Sequence, residues 1–232
     1  MNIGLIIAGG KGARMHQDIP KQFLTVHEKP VIVYTMEAFE RHPNIDEIYV
    51  VCIEGWEHVL AAYAKQFKIT KLKGIIPGGD TGFESIRNGI FTLKEDHDDE
   101  DIVLVHDAIR PMVSEEIISE CIFTAQQFGN GVTTIPCAEA MLITEDGTTS
   151  NSSFLRDNLK REQTPQTFKL GLLYSLHKKA QEQGITNAIT SSSLAVTLGE
   201  TIHFVNGSEK NLKLTTVDDL DIFRALLLLK KD

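Results

Sequence analysis

Short apolar runs alternate along the chain with longer segments of helical periodicity. Four runs rich in β-branched residues are too short for helices and predict strands at 3–8, 47–52, 102–106 and 131–135. Five segments carry apolar residues at three- and four-residue spacing and predict helices at 30–41, 56–67, 82–93, 114–128 and 217–229. This alternation predicts crossover units and an α/β fold with a mostly parallel sheet flanked by helices.

Residues 139–157 interrupt this rhythm. The segment has little apolar content, and a Glu-Asp-Gly turn separates two extended pieces, which favours a protruding β-hairpin arm. Such an arm is marginally stable alone, so we expect it to pack on a second subunit; a mobile surface loop is the alternative. Because the chain shows no repeat and no linker composition, we predict a single domain over 1–232 that contains this arm.

Composition and charge narrow the classes of function. With 42% hydrophobic and 24% charged residues, the 232-residue chain is typical of a globular domain and not of a disordered or fibrous protein. A net charge of -9 argues against binding nucleic acid through the general surface. Three cysteines without CxxC spacing disfavour a disulfide framework or a zinc site. The first apolar run has the length of one strand, so we expect no signal peptide, no membrane span and a cytoplasmic location.

A glycine-rich turn, AGGKGARM, follows the first predicted strand at 8–15. A turn of this kind lets a βα unit present backbone N–H groups to an anion. It lacks the GK[ST] of a P-loop, and Met15 stands where a dinucleotide motif has its third glycine. Taken alone, the pattern is equally compatible with a tight turn and with a nucleotide site.

Two cations accompany this turn. Arg14 and Lys21 are seven positions apart, and Pro20 fixes the backbone beside the lysine. The planar guanidinium and the compact ammonium suit one polyphosphate, where negative charge builds up on phosphorus. The alternative interpretation is a pair of solvated surface cations.

A second polar constellation, HDAIRP at 106–111, lies at the carboxyl end of a predicted strand, where open α/β sheets bind ligands. Asp107 is a candidate ligand for a magnesium ion that bridges phosphates. Arg110 either meets an anionic substrate or pairs with Asp107 to brace the turn. We interpret His106 as a packed residue at the strand end.

Five motifs in order resemble the cytidylyltransferases that use polyol phosphates: AGGKGARM with PKQF, GGD followed by Ser85, HDAIRP, RDNLKREQTPQ and NLKLTT. The similarity runs from about residue 3 to residue 227. It implies a Rossmann-like fold of the GT-A type and transfer of CMP from CTP to 2-C-methyl-D-erythritol 4-phosphate or ribitol 5-phosphate, with release of pyrophosphate. It also implies a Mg²⁺ cofactor and a homodimer formed through the arm.

The resemblance assigns roles to individual residues. Arg14 and Lys21 match the catalytic pair that stabilises the transition state at the α-phosphorus. The positions that match nucleotide contacts are Ala8, Gly9, Gly10, Gly12, Gly79, Asp80, Ser85 and Asp107, and Asp107 also matches the acid near the metal. The positions that match acceptor contacts are Arg110, Arg156, Thr190 and Lys213.

Three departures from the family pattern concern mainly the acceptor. Gly82 stands where many relatives have arginine, three serines at 191–193 follow Thr190 where relatives have an aspartate, and Glu139-Ala140 replaces Asp-Thr at the base of the arm. Polar groups of this kind set specificity for hydroxylated substrates, so the acceptor stays open between an isoprenoid precursor and a building block of cell-surface polymers. A sugar-1-phosphate nucleotidyltransferase and a non-catalytic nucleotide-binding protein are the alternatives from other classes.

Overall fold

A seven-stranded sheet forms the centre of the computed structural model, which describes residues 1–10 and 19–229. Its strands are β1 (Asn2–Ala8), β4 (Glu47–Cys52), β5 (Leu72–Pro77), β6 (Ile102–Asp107), β7 (Asn130–Pro136), β10 (Lys160–Lys169) and β11 (Phe204–Asn206). Two small sheets pair β2 (Thr25–Val26) with β3 (Lys29–Pro30), and β8 (Met141–Ile143) with β9 (Ser152–Phe154).

The strand order of the large sheet is β11-β7-β10-β6-β1-β4-β5. β1 pairs in parallel with β4 and β6, whereas β10 runs antiparallel between β6 and β7, with Thr167 opposite Leu104. The prediction of a mostly parallel sheet is confirmed. The hydrophobic pattern did not predict β5, β10 or β11.

Helices cover both faces of the sheet. They are α1 (Val31–Arg41), α2 (Glu57–Gln66), α3 (Gly82–Asp96), α4 (Glu115–Phe128), α5 (Leu170–Glu182), α6 (Ser191–Thr197) and α7 (Val217–Leu229). Side chains of β1 alternate between two cores: Ile6 packs on the side of α1, α2 and α4, and Leu5 on the side of α3, α5 and α6. α7 packs on a third cluster, in which Phe223 contacts the Tyr34 ring of α1 edge-on. All nine predicted elements are present, with ends within three residues of the predicted ones.

Local capping fixes where two helices begin near the loops that follow the strands. Thr81 caps α3 by accepting the Glu84 N–H, and Glu84 accepts the Thr81 N–H in return. Ser114 caps α4 by accepting the Ile117 N–H, as its position before an apolar run predicts. The cap at Thr81 places the start of α3 at Gly82, directly after the loop that leaves β5.

The segment at 139–157 forms the predicted hairpin. β8 and β9 pair antiparallel, with Leu142 opposite Ser153, and Asp146 accepts hydrogen bonds from Thr148 and Thr149 in the turn. Leu142 and Phe154 expose 69% and 54% of their surface, so the hairpin presents apolar side chains outward. Its packing on a second subunit stays a prediction.

Cys52, Cys121 and Cys137 are buried free thiols. Within residues 1–10 and 19–229, no three histidine, cysteine or acidic side chains cluster in a way that would hold a metal ion. A search of the same residues finds no helix with the length and hydrophobicity needed to span a bilayer.

The side chain of His177, on α5, is buried in an apolar environment. Its ring lies 5.1 Å from the Phe83 ring of α3, and neither ring nitrogen has a hydrogen-bond partner among the described residues. Burial lowers the pKa of His177 to about 4. The imidazole is therefore neutral in the folded protein at pH values where it is charged in the unfolded chain.

This burial predicts a pH dependence of stability. The unfolded histidine titrates near pH 6.5, so the unfolded state binds a proton that the folded state does not, and the free energy of unfolding falls as the pH drops from 6.5 toward 4. Between pH 7 and pH 4.5 this loss amounts to about 2 kcal/mol. We expect His177→Leu to show a correspondingly smaller loss in urea unfolding at the two pH values.

The matched control is His58→Leu, because the side chain of His58 is exposed. It should keep the pH dependence of the wild type. Equal losses in His177→Leu and the wild type would contradict the assignment.

Candidate functional site

Three pockets lie at the carboxyl ends of β1, β5 and β6, and two of them share Gly82, Asp107 and Lys213; together they are called the cleft. The lining comes from the turns after these strands, from β10 and from the segments before α6 and α7. It includes Ala8, Gly9, Gly10, Lys21, Gln22, Gly79, Asp80, Asp107, Arg110, Glu162, Thr164, Gln166, Thr190 and Lys213. Open α/β sheets bind ligands at this edge.

Two glycine turns meet at one end of the cleft. A Cβ atom added to Gly9 would lie 2.7 Å from the Ser85 hydroxyl, and one added to Gly78 would lie 3.0 Å from the Cys52 carbonyl oxygen. The Ser85 hydroxyl in turn accepts the Gly79 N–H at 3.0 Å. Glycine is therefore required where the turns after β1 and β5 approach each other. The structure brings together Gly9, Gly79 and Ser85, as the nucleotide-site hypothesis requires.

Gln22 anchors the glycine-rich turn and was not singled out by the sequence analysis. Its buried amide donates to the carbonyl oxygens of Ala8 and Gly10, at 2.7 and 3.1 Å. It belongs to a 3-10 turn at Lys21–Phe23. This anchoring holds Lys21 beside the turn. In the sequence, the signal for Gln22 was its place in the PKQF motif.

Asp107 lies at the centre of a small ion cluster. Its Oδ2 atom is 3.0 Å from Arg110 Nε, and Lys213 Nζ lies 3.2 Å from Oδ1 and 3.1 Å from Oδ2. Burial would raise the pKa of Asp107, but Lys213 and Arg110 outweigh that effect and hold the pKa below its usual range. One carboxylate and two cations leave the cluster with a net positive charge.

Arg110 also donates from Nη1 to the carbonyl oxygen of Asn211 at 2.8 Å. The contact with Asp107 agrees with the interpretation of Arg110 as a residue that braces the turn. Because Arg110 also lines the cleft, its contact with an anionic acceptor stays a prediction.

The Thr164 hydroxyl and the His106 imidazole form a chain of hydrogen bonds that connects the backbones of Asp107 and Arg110. His106 is fully buried, as interpreted from the sequence, and burial lowers its pKa to about 4. Its Nε2 atom lies 3.1 Å from the Arg110 carbonyl oxygen, which only accepts, so Nε2 carries the proton. Nδ1 then accepts from the Thr164 hydroxyl at 3.0 Å, and the Thr164 oxygen accepts the Asp107 N–H at 3.0 Å. The TPQ motif was the signal for Thr164.

A third group, on β10 and the start of α6, lines the far side of the cleft. Ser192 donates to Glu162 Oε1 at 2.8 Å, and Thr190 donates to Oε2 at 3.1 Å. Gln166 links the two elements through Ser192, with its amide 3.1 Å from the serine hydroxyl. Thr190 lies in the cleft as predicted, whereas Glu162, although it stands within the RDNLKREQTPQ motif, was given no role from the sequence.

Arg156 is not part of the cleft of its own chain. It lies in a 3-10 turn after the arm, is exposed, and donates to the Ala138 carbonyl oxygen at 3.4 Å. Arg14 and Gly12 lie outside the described residues. Within the described part of the chain, Lys21 is the member of the predicted catalytic pair that lines the cleft.

The donor set at Asp107 fits a magnesium ion that arrives with phosphates. Mg²⁺ in phosphate sites takes one or two carboxylates together with phosphate oxygens and water, and it does not need a cage made of protein atoms alone. Asp107 supplies one such carboxylate, beside cations suited to the phosphates themselves. The arrangement is suited to bringing two anionic substrates together and stabilising negative charge between them.

Comparison with known proteins gives matches that cover nearly the whole chain. The profile of the family "2-C-methyl-D-erythritol 4-phosphate cytidylyltransferase" matches residues 3–229. A protein of Lacticaseibacillus paracasei named ribitol-5-phosphate cytidylyltransferase is 42% identical, over 98% of this chain and 98% of its own length. A protein of the same name from Vibrio parahaemolyticus is 40% identical, over 98% and 96%. A Clostridium tetani protein named 2-C-methyl-D-erythritol 4-phosphate cytidylyltransferase is 36% identical, over 94% and 87%.

A solved structure has the same fold. The crystal structure of Francisella tularensis 2-C-methyl-D-erythritol 4-phosphate cytidylyltransferase superposes with a TM-score of 0.80 at 26% identity. The alignment covers 97% of this chain and 99% of the other chain. The Rossmann-like fold expected from the motifs is therefore confirmed.

Proposed function

The chain belongs to the 2-C-methyl-D-erythritol 4-phosphate cytidylyltransferase family, and on this premise we propose that it transfers CMP from CTP to ribitol 5-phosphate. Family membership makes it a cytidylyltransferase for one of two polyol phosphates, 2-C-methyl-D-erythritol 4-phosphate or ribitol 5-phosphate. The proposed part is the choice of ribitol 5-phosphate. It is supported by the higher identity to the relatives that carry that substrate in their names, 42% and 40% against 36%.

The observation that carries the activity is the ion cluster of Asp107, Arg110 and Lys213 beside the glycine turn. The cluster is positively charged and lies at the sheet edge where the turns after β1 and β5 converge. A nucleotide on the glycine turns and an anionic acceptor at Lys213 would lie side by side in one cleft. This is the arrangement that a transfer between two phosphates requires.

The proposed reaction needs no protein nucleophile. An oxygen of the acceptor phosphate is already an anion and attacks the α-phosphorus of CTP, forming a new P–O bond. The bond from the α-phosphorus to the bridging oxygen breaks in line, and pyrophosphate leaves with the electron pair. Lys21 and Lys213 offset the charge that accumulates on the phosphoryl oxygens, and Gln22 keeps Lys21 beside the turn.

We also propose Mg²⁺ as the cofactor. When bound, the ion would neutralise charge on the leaving pyrophosphate, and Asp107 would hold it together with phosphate oxygens. Asp107 keeps its negative charge for this purpose because Lys213 and Arg110 lower its pKa.

The acceptor 2-C-methyl-D-erythritol 4-phosphate is the second candidate. It is favoured by the name of the matching family and by that of the Francisella structure. The two acceptors differ in chain length and hydroxyl pattern, so a direct comparison of turnover separates them.

The first experiment measures pyrophosphate release from CTP with Mg²⁺ and a panel of acceptors. We expect the highest kcat/KM with ribitol 5-phosphate, little release with UTP or GTP, and loss of activity on removal of Mg²⁺ with EDTA. A preference for 2-C-methyl-D-erythritol 4-phosphate would overturn the proposed acceptor. Absence of release with every acceptor would overturn the activity itself.

Lys21→Ala tests the proposed stabilisation of the transition state. Loss of one preorganised contact to developing charge lowers kcat by a factor on the order of 100 or more. Steady-state kinetics with CTP and the preferred acceptor measures the effect. Lys65→Ala, which changes an exposed lysine of α2, is the matched control and should keep the wild-type kcat. Wild-type turnover in Lys21→Ala would rule out the assigned role.

We propose, finally, that the enzyme is a homodimer formed through the arm at 139–157. The apolar side chains of Leu142 and Phe154 lack cover in the single chain, and Arg156 lies away from its own cleft. A second subunit would cover the hairpin and receive Arg156 at its acceptor end.

Leu142→Asp tests the arm. Placing a charge among the apolar side chains of the interface should shift sedimentation from dimer to monomer and lower kcat/KM for the acceptor, while CTP binding persists. Asn151→Asp adds the same charge at an exposed polar position of the hairpin and should remain dimeric. A wild-type protein that sediments as a monomer would contradict the proposal.

A further inference from the structure

The carboxylate of Glu162 is held in a fixed position in the cleft although it lies outside the ion cluster. Hydroxyl groups of Ser192 and Thr190 donate to its two oxygens, at 2.8 and 3.1 Å. Ser192 is itself fully buried and receives a further bond from Gln166, so the support of the carboxylate is rigid. Glu162 is exposed to the cleft, in contrast to the serine behind it.

A carboxylate held in this way still has acceptor capacity. Its two oxygens offer about four lone-pair sites, of which the two hydroxyl donors and the Gln166 amide, 3.5 Å from Oε2, take at most about three. The carboxylate is exposed and lines the cleft, so its remaining acceptor capacity is open to a bound molecule. A group of this kind accepts hydrogen bonds from hydroxyls, and hydrogen bonds to a charged acceptor are stronger than those between neutral groups.

The charges of the cleft also define which end of a polyol phosphate each side would bind. Lys213 and Arg110 lie at the Asp107 end, where a phosphate is attracted. Glu162 would repel a phosphate, whereas its carboxylate is suited to accept hydrogen bonds from the hydroxylated part of the acceptor. The two ends therefore orient a molecule that has an anionic head and a hydroxylated tail.

We infer that Glu162 is a specificity-determining residue that binds hydroxyl groups of the acceptor's carbon chain. The inference rests on the proposed function of the same cleft. After Thr190, this chain has three serines where relatives have an aspartate. In this chain a carboxylate from β10 lies against that same stretch, bonded to Thr190 and Ser192.

Glu162→Gln and Glu162→Ala test this inference, because Glu162 is exposed and its replacement leaves the core intact. The readout is the ratio of kcat/KM for ribitol 5-phosphate to that for glycerol 3-phosphate, which has fewer hydroxyl groups. We expect the ratio to fall on the order of 10-fold or more in both variants, mainly through KM for the acceptor, with KM for CTP unchanged. Ser192→Ala removes one supporting hydroxyl and should lower the ratio less.

The matched control is Glu120→Gln, which changes an exposed acid on α4 and should keep the wild-type ratio. A merely structural role of Glu162 would lower turnover of both acceptors equally, so an unchanged ratio would overturn the inference. If the wild type prefers 2-C-methyl-D-erythritol 4-phosphate, the proposed acceptor fails, and the same ratio measured with that substrate still decides the role of Glu162. A wild type that turns over no acceptor would overturn the proposed function and this inference together.

Discussion

The site depends on the pairing of Asp107 with Arg110 and Lys213. A carboxylate taken out of water without partners destabilises the fold by several kcal/mol, so the acid at the end of β6 requires these cations. Lys213 lies 106 positions further along the chain, and its contact ties the segment before α7 to the central sheet. Thr164 adds a tie from β10 to the same backbone. The interaction that keeps the acid charged thus also assembles the cleft from distant parts of the sequence.

The end of the cleft at the glycine turns follows from a different constraint, the close approach of two backbone turns. Gly9 and Gly78 lie where a side chain would meet Ser85 or the Cys52 carbonyl, and Gln22 holds the first turn by its carbonyl oxygens. These contacts are among neutral groups, and Gln22 binds the turn through carbonyl oxygens. The charged contacts therefore lie at Asp107, whereas the close backbone packing lies at the glycine turns.

Much of the fold could be predicted because β1, β4, β6 and β7 are short apolar runs between amphipathic helices. β10 escaped prediction for a physical reason: Gln163, Gln166 and Thr167 are buried, and hydropathy assigns such residues to the surface. The motifs located Lys21, Thr190 and Lys213 in the cleft. Glu162 stands within the RDNLKREQTPQ motif, but its role had no local signal, because its partners Thr190 and Ser192 lie 28 and 30 positions away and folding brings them together.

The antiparallel course of β10 divides the lining of the cleft into two parts. The glycine turns and Asp107 belong to parallel βα units, whereas Glu162 and Thr164 lie on a strand that continues directly from the arm. Substitutions within 139–169 would therefore act first on the side of the cleft formed by β10, and would reach Asp107 through the hydrogen bond of Thr164. The glycine turns, which contact Ser85 and Gln22, lie outside this stretch, so the proposed acceptor preference could change while the geometry of these turns is kept.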